Sequence, residues 1–361
     1  MTPRLSFIGC GSHATTNLYP TLAYAACTLD SVCDLNRVLA ERNGRLFGAQ
    51  AVYTDALRML DERRPDGVML VGPPSLHHQL GLEVLARGIP LFVEKPTAPS
   101  LAQAEELVAC ARRHGTFIMT SYMKRFGTPY RHLRSLIQDG SFQPALASFR
   151  YGHWRSDDLG GMLHTMSIHI IDLAIAMFGS VATVHAATVR LPPGTWSVAL
   201  VLRFHSGVVC QLALDSHMPR IQERIEISGL MEGGSCLAIV DNVQHLEVHR
   251  QKENGIDLLA ETMSAIEPRF ALSDIQVWRP DYAIPNMGQH RLLFQGFVGS
   301  VREFVTAVAE GRDCSPGPEE ALEAMRVVAA VIERPEGTTT LSSAPASWDR
   351  VTTHASVAEP V

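Results

Sequence analysis

A chain of 361 residues with 46% hydrophobic and 19% charged residues has the length of two ordinary domains and the composition of a globular protein, which excludes a largely disordered or collagen-like chain. The formal net charge of -6 offers no basic footprint for a phosphate backbone, so no nucleic-acid partner is expected. Seven scattered cysteines, none spaced C-x-x-C, argue against a disulfide framework or a thiolate metal site.

The first apolar run ends at Gly9, too soon for a signal peptide, and no stretch approaches the roughly 20 apolar residues that span a bilayer. A cytoplasmic protein without a membrane partner is the expectation. Leu5 to Ile8 is strand-like and stops at Gly9-Cys10-Gly11-Ser12-His13-Ala14, a G-x-G-x-x-A sequence followed by helix-compatible residues. In that context Gly9 allows a tight turn, Gly11 lets the backbone approach a pyrophosphate, and Ala14 permits close helix packing. The following helix should kink or end near Pro20, where the backbone N–H is missing.

A second run, Ser31-Val32-Cys33, ends in Asp34-Leu35, about where a carboxylate accepts hydrogen bonds from an adenosine ribose. A 2'-phosphate would meet a like charge there, which favours NAD over NADP; Arg37 is the one nearby residue that could soften the preference. Helical and continuous apolar segments then alternate. Asp55 to Arg63 is helical, Gly67 to Val71 a buried strand, Gly81 to Arg87 helical, Ile89 to Val93 a strand, Leu101 to His114 helical and Thr116 to Thr120 a strand. This order predicts an α/β fold with a doubly wound parallel sheet. Ligands bind at the carboxyl ends of such strands, which brings Gly72 to His77, Glu94-Lys95-Pro96 and Tyr122 to Phe126 beside the cofactor.

From Ala147 onward strand patterns dominate, at Ala182 to Arg190, Ser197 to Phe204, Val208 to Leu214 and Arg224 to Ser228, with one clear helix from about Thr165 to Phe178. The expected division is 1–123 for a nucleotide-binding domain, 124–341 for an α/β substrate domain and 342–361 for a disordered tail lacking periodicity.

Several segments together resemble the family of glucose-fructose oxidoreductase, inositol dehydrogenase and the rhizopine-catabolism oxidoreductases. They are Glu94-Lys95-Pro96 after a strand, Gly72-Pro73-Pro74-Ser75-Leu76-His77 against a T-P-x-x-x-H loop, Tyr122-Met123-Lys124-Arg125-Phe126 against F-M-R-R-[FY], and His169-Ile170-Ile171-Asp172 against H-x-x-D. Leu202 to Asp215 and Phe297 to Gly311 are similar to its later strand pair and helix. The resemblance implies a Rossmann domain followed by an α/β domain with a large open mixed sheet that binds substrate and commonly forms a homodimer or homotetramer interface.

It also implies site residues. Lys95 takes the place near the nicotinamide and the reacting carbon, where a partly desolvated amine can move a proton. His169 takes the place of a histidine that bonds the reacting hydroxyl, with Asp172 on the same helical face. Many relatives carry an aspartate four residues before this histidine; this chain has Thr165, which can bond a hydroxyl but holds no charge. His164 is an alternative whose adjacent position points it elsewhere. His153 and Lys124 correspond to substrate-binding positions, Arg125 is as consistent with a structural role, and Trp154 with stacking or packing. The cofactor-binding set is Gly9, Cys10, Gly11, Ser12, His13, Asp34, Leu35, Gly72, Pro73, Pro74, His77, Glu94, Lys95 and Met123. Among fifteen histidines, His77-His78, His164/His169 and His132/His153 lack ligand spacing, so no metal is expected.

The expected activity is NAD-dependent alcohol/ketone chemistry at a ring carbon of a sugar, cyclitol or nucleoside-like polyol. Two other readings stay open: NAD-dependent glycoside cleavage through transient ring oxidation, which would give no net NADH, and a nucleotide-binding sensor without chemistry.

Overall fold

The computed structural model describes residues 2–153, 158–251, 273–279 and 287–341; Trp154 and the segment 342–361 lie outside them. The first sheet contains β1 (Arg4–Ile8), β2 (Thr28–Cys33), β3 (Ala51–Tyr53), β4 (Gly67–Leu70), β5 (Leu91–Val93) and β6 (Ile118–Thr120). Its order is β3-β2-β1-β4-β5-β6 and every pairing is parallel. The central strands read as continuous apolar runs because helices cover both faces, and all four residues of β4 are buried. Those helices start where the sequence supplies caps: the side chains of Asn36, Asp55 and Ser100 accept the first free N–H groups of Arg37–Phe47, Ala56–Arg63 and Leu101–Arg113.

The helix expected at Gly81 starts earlier and runs Pro74–Ala86, with Pro74 in the first turn, where its missing N–H costs nothing. After the glycine turn the chain departs from a regular α-helix. It forms a π-helical turn over Ala14–Leu18 and then a 3-10 helix over Tyr19–Tyr24. The physical reason lies in the side chains. Thr15 and Thr16 donate their hydroxyls back to Gly11 O (2.9 Å) and Ser12 O (2.8 Å), and Pro20 has no N–H to offer the carbonyl four residues earlier. That carbonyl, of Thr16, accepts from Arg291 Nη2 at 2.9 Å instead.

The second sheet is mixed and nine-stranded. It contains β7 (Phe142–Gly152), β8 (Val181–Leu191), β9 (Thr195–Phe204), β10 (Val209–Asp215), β11 (Gln222–Met231), β12 (Gly234–Asp241), β13 (His245–Gln251), β14 (Ser273–Trp278) and β15 (Gly337–Thr340). Their order is β14-β13-β12-β11-β7-β10-β9-β8-β15, with β7 and β10 the parallel pair. Period-2 alternation sends Val198, Leu200 and Leu202 of β9, Leu212 and Leu214 of β10, and Ile225 and Ile227 of β11 into the core. Leu146 of β7, Val201 of β9, Leu230 of β11, Leu237 of β12, and Ile275 and Val277 of β14 stay exposed.

Helices cover the inner face. The apolar helix Ile168–Phe178 is buried at ten positions, which is why its residues are hydrophobic almost all round. Each fully buried Ile or Leu there is worth about 1.5–3 kcal/mol of transfer free energy. The helix Pro318–Glu333, which carries a proline at its start, two glutamates in its first turn and an apolar stripe, packs against both Ile168–Phe178 and Leu101–Arg113 and so bridges the two halves. The helix Phe297–Glu310 returns to the first sheet. Phe304 meets Phe92 and Phe117 edge-on, with ring centroids 5.6 and 5.9 Å away.

Candidate active site

The carboxyl ends of β1, β2, β4, β5 and β6 bring five loops together. The strand order reverses direction between β1 and β4, the place where an open α/β sheet leaves a crevice. Gly9 ends β1 with φ +102°, and a Cβ there would lie 1.9 Å from Val71 O. Only glycine allows β1 and β4 to close so tightly at the turn. At Gly11 a Cβ would meet no protein atom within 4 Å, so the exposed backbone of Gly11-Ser12-His13 faces open space. Asp34 is locked below it: Oδ2 accepts from Cys10 N–H (2.7 Å) and Oδ1 from Asn36 N–H (2.8 Å). Leu35 follows, 90% exposed. Open space above a glycine turn, free backbone donors and a fixed carboxylate after β2 fit a dinucleotide with unmodified ribose. The buried Cys10 thiol, pushed up to about 11 by burial, is a packing group against Tyr19.

His77 does not face this space. Its ring is wholly buried: Nδ1 donates to Pro96 O (2.9 Å) and Nε2 accepts from Gly72 N–H (3.3 Å). Because a carbonyl can only accept and an amide N–H only donate, the tautomer is fixed. Burial lowers its pKa and keeps the ring neutral. The expectation of a cofactor contact is therefore corrected to an indirect role, in which His77 clamps the Gly72-Pro73-Pro74 loop to the Lys95-Pro96 turn.

Glu94 is buried at the end of β5. Its Oε2 accepts from Lys95 N–H (3.2 Å) and Oε1 lies 3.5 Å from His13 Nε2. Burial alone would raise its pKa, but the His13 ring and the Lys95 charge outweigh this and hold it low. Arg291 Nη1 donates to Asn17 Oδ1 (3.0 Å), which turns the Asn17 amide nitrogen toward His13 Nδ1 (3.0 Å). His13 must then carry its proton on Nε2, toward Glu94.

Lys95, half-buried, reaches across from the first sheet and donates its ammonium to Thr165 O. Burial lowers its pKa. Thr165 lies in the π-helical turn Leu163–Ser167, which feeds directly into the helix Ile168–Phe178. Such turns widen the helix and re-aim its carbonyls, a common device at functional sites. The Thr165 hydroxyl, expected to bond a substrate hydroxyl, is turned backward and donates to Gly161 O at 2.5 Å, while the residue meets Lys95 through its carbonyl. His164 is likewise engaged, its Nδ1 donating to Gly160 O at 3.0 Å.

His169 is 7% exposed and its Nδ1 has no hydrogen-bond partner among the described residues. Burial first, then the nearby Lys95, Lys124 and His13, hold its pKa well below the usual imidazole value. The ring is neutral, with one N–H and one lone pair. Lys95, His169, Lys124 and His13 thus share one electrostatic neighbourhood, and Met123 starts the short turn that holds Lys124.

Two expected substrate residues, Asp172 and Lys124, are held in buried ion pairs. Asp172 is buried and bonded bidentately by Arg125, Nε to Oδ2 at 2.8 Å and Nη2 to Oδ1 at 2.6 Å; Arg125 also holds Glu320 at 2.5 Å. Asp172 follows His169 by three positions, yet its carboxylate faces the domain junction, so its assignment to substrate is corrected to a structural one. Burial pushes its pKa up to about 6 against the pull of Arg125. Lys124 is 6% exposed and paired with Glu223 of β11, whose other oxygen accepts from Tyr130 OH. It also lies 5.2 Å from the centroid of the Tyr151 ring. His153, buried at the end of β7, stands beside Tyr151, with ring centroids 6.3 Å apart.

Glu223, Tyr130, Glu320, Asn17 and Arg291 were not singled out by sequence. Only Glu223 left a signal, as a charged residue in step with the inward-facing Ile225 and Ile227. Among the described residues no group of three or more His, Cys, Asp or Glu side chains is placed to hold a metal ion.

Residues 4–122 match the family described as "Oxidoreductase family, NAD-binding Rossmann fold", and residues 130–231 match the GFO/IDH/MocA C-terminal domain. The chain belongs to the Gfo/Idh/MocA oxidoreductase family. It is an NAD-binding dehydrogenase of that family. It is 24% identical to a D-apiose dehydrogenase from Paraburkholderia graminis over 260 residues, 68% of this chain and 69% of the relative. It is 26% identical over 343 residues to the putative oxidoreductase YceM of Salmonella typhimurium, covering 91% of this chain and 97% of that one. A solved dehydrogenase from Chromobacterium violaceum superposes with a TM-score of 0.80 at 22% identity, covering 92% of this chain and 95% of that one.

Proposed function

We propose that this Gfo/Idh/MocA dehydrogenase interconverts a secondary alcohol and a ketone at a ring carbon of a sugar, cyclitol or nucleoside-like polyol. The observation that carries the reading is the approach of Lys95 to the π-helical turn that precedes His169, at the carboxyl edge of the first sheet. The D-apiose dehydrogenase relative supports a sugar-like substrate.

When bound, NAD supplies the hydride acceptor. Gly9, Gly11 and Asp34 would hold it, with Glu94 beside the reactive end. Lys95, its pKa lowered by burial, is suited to take the hydroxyl proton as the alcohol is oxidised and return it in reduction. The neutral His169 ring offers a further hydrogen bond to the same hydroxyl and fixes its direction. Thr165 contributes its backbone carbonyl, which aims the Lys95 ammonium. Exposed apolar side chains on the second sheet, Leu146, Val201, Leu230, Leu237 and Ile275 among them, support assembly as a homodimer or homotetramer, which light scattering after size exclusion would test.

The deciding experiment follows NADH absorbance with a panel of sugars, cyclitols and nucleosides, in the native protein and in Lys95→Ala and Thr165→Ala. A substrate that reduces NAD, a loss of about 10²- to 10⁴-fold in Lys95→Ala and a change of only several-fold in Thr165→Ala is the expected pattern. Full activity in Lys95→Ala, with NAD reduced as before, overturns the assignment.

A further inference from the structure

Glu94 differs from the other buried carboxylates around the cleft. Asp172 is bonded bidentately by Arg125, and Glu223 is paired with Lys124. Glu94, 5% exposed at the end of β5, has no lysine or arginine side chain within ion-pair distance among the described residues. Its Oε2 accepts from the Lys95 backbone N–H, while its buried Oε1 has no hydrogen-bond partner among the described residues and lies 3.5 Å from His13 Nε2. Burial opposes its charge, yet His13 and Lys95 keep the carboxyl below its ordinary range, so it remains an anion. A chain of side chains aims the histidine at it. Arg291 Nη1 donates to Asn17 Oδ1 (3.0 Å) and the Asn17 amide nitrogen donates to His13 Nδ1 (3.0 Å), which leaves the ring proton on Nε2, toward Glu94. The Phe297 ring meets the His13 ring edge-on, with centroids 6.1 Å apart, and limits its tilt.

The charge that moves in alcohol oxidation gives this carboxylate a task. The hydroxyl proton passes to the neutral Lys95 amine, and the carbinol carbon loses its hydride, with the electron pair, to NAD. One positive charge is therefore lost from the nicotinamide ring and one appears on Lys95. A fixed anion next to both positions balances the cleft before and after the step, with no reorganisation. We infer that Glu94 is the counter-charge of the oxidised nicotinamide, strengthening NAD binding over NADH binding, and that His13, held by Asn17 and Arg291, is its positioning residue. The inference rests on the reading of Lys95 as the base and deepens it. The other cation of the cleft, Lys124, is already neutralised by Glu223 and leaves this balance unchanged.

The test compares dissociation constants on the full chain, for NADH by fluorescence titration and for NAD by displacement of NADH, with a thermal melt of each variant as the check on folding. Glu94→Gln keeps the shape and an acceptor for the Lys95 N–H but removes the charge. It should weaken NAD at least about tenfold relative to NADH. Glu94→Asp keeps the charge and should hold the ratio near the native value, whereas His13→Ala should shift it several-fold in the direction of Glu94→Gln, about the worth of one hydrogen bond to a charged group. A loosened site would instead weaken both cofactors alike. The pH profile is a second readout. Burial lowers the Lys95 pKa and the Glu94 charge raises it, so Glu94→Gln should move the acid limb of kcat/KM for the polyol, at saturating NAD, to lower pH. An unchanged ratio or an equal loss of both cofactors in Glu94→Gln, or a loss as large in Glu94→Asp, would overturn the counter-charge. An unchanged ratio in His13→Ala would overturn the positioning role. Polyol oxidation that depends on Lys95, with the ratio unmoved in Glu94→Gln, would sink the inference and leave the dehydrogenase reading standing. A ratio that shifts as expected while no polyol is oxidised would do the reverse.

Discussion

The imidazole of His77 joins Gly72 to Pro96, 24 residues apart in the chain, by accepting one hydrogen bond and donating the other. It thereby fixes two of the five loops around the cofactor crevice to one another. His77→Phe keeps most of the volume and leaves the buried Pro96 carbonyl without its partner, which costs about 1–3 kcal/mol, and the half-buried Gly72 N–H without its partner at a smaller cost. The variant should unfold at lower urea and bind NAD more weakly. The pH response is a second readout. The folded pKa of His77 lies below its unfolded value, so stability is present above about pH 6.5 and is lost as pH falls toward the folded pKa. Urea titrations at pH 7.5 and 5.5 should show a smaller acid loss in His77→Phe than in the native chain; an equal loss would assign the acid sensitivity elsewhere.

The ion pair between Arg125 and Asp172 is buried on both sides, so breaking it leaves an uncompensated charge in the core. Arg125→Met should therefore cost about 3–5 kcal/mol of stability, and Asp172→Asn should be destabilising for the same reason. If Asp172 instead served the substrate, Asp172→Asn would raise KM while leaving the urea midpoint unchanged. Measuring both quantities on the same preparation separates the roles.

Asp34 is held by two backbone N–H groups and so cannot swing away from an added phosphate. NAD should bind at least about tenfold more tightly than NADP, the effect of a like charge at close range. Asp34→Ala should narrow that gap. Fluorescence titration of NADH and NADPH with both proteins measures it, and equal affinities in the native chain would contradict the role of Asp34.

The cofactor half was legible because local physics sets it. Gly9 and Gly11 announce a turn, Asp34 ends an apolar run, and β4 and β5 are continuous apolar segments flanked by glycine or proline. The second sheet was legible as alternation in β9, β10 and β11; β12 was obscured because Leu237 and Ile239 share its outer positions with Ser235 and Asp241, and β15 because its Gly-Thr-Thr-Thr run has no apolar residue to alternate. The pairings of the cleft were hidden for another reason. Lys124 and Glu223 lie 99 residues apart and Arg125 and Glu320 lie 195 apart, so only the folded chain reveals which carboxylate each cation meets. Asp172 illustrates the error that follows: spacing on a helix says which face a residue shares, and not which neighbour occupies that face. The π-helical turn at Leu163–Ser167 had no sequence signal that was recognised, and it is this turn that exchanges the Thr165 hydroxyl for its carbonyl in front of Lys95.

The two glycines of the first turn should fail in different ways when each is replaced by alanine. At Gly9 the new Cβ would sit 1.9 Å from Val71 O, a backbone atom in the loop after β4, and the φ of +102° is unfavourable for any L side chain. Gly9→Ala must therefore push β1 and β4 apart at the turn, and it should lower the melting temperature of the protein whether or not NAD is present. At Gly11 the Cβ meets nothing within 4 Å, so Gly11→Ala should melt close to the native chain. Its cost should appear only when a pyrophosphate approaches that backbone, as a loss of NAD affinity and of the stabilisation that ligand confers. Thermal melts of both variants with and without NAD read the difference directly. Normal NAD stabilisation of Gly11→Ala would mean that the dinucleotide does not cross this turn, and the whole placement of the cofactor over Gly11 and Asp34 would have to be abandoned.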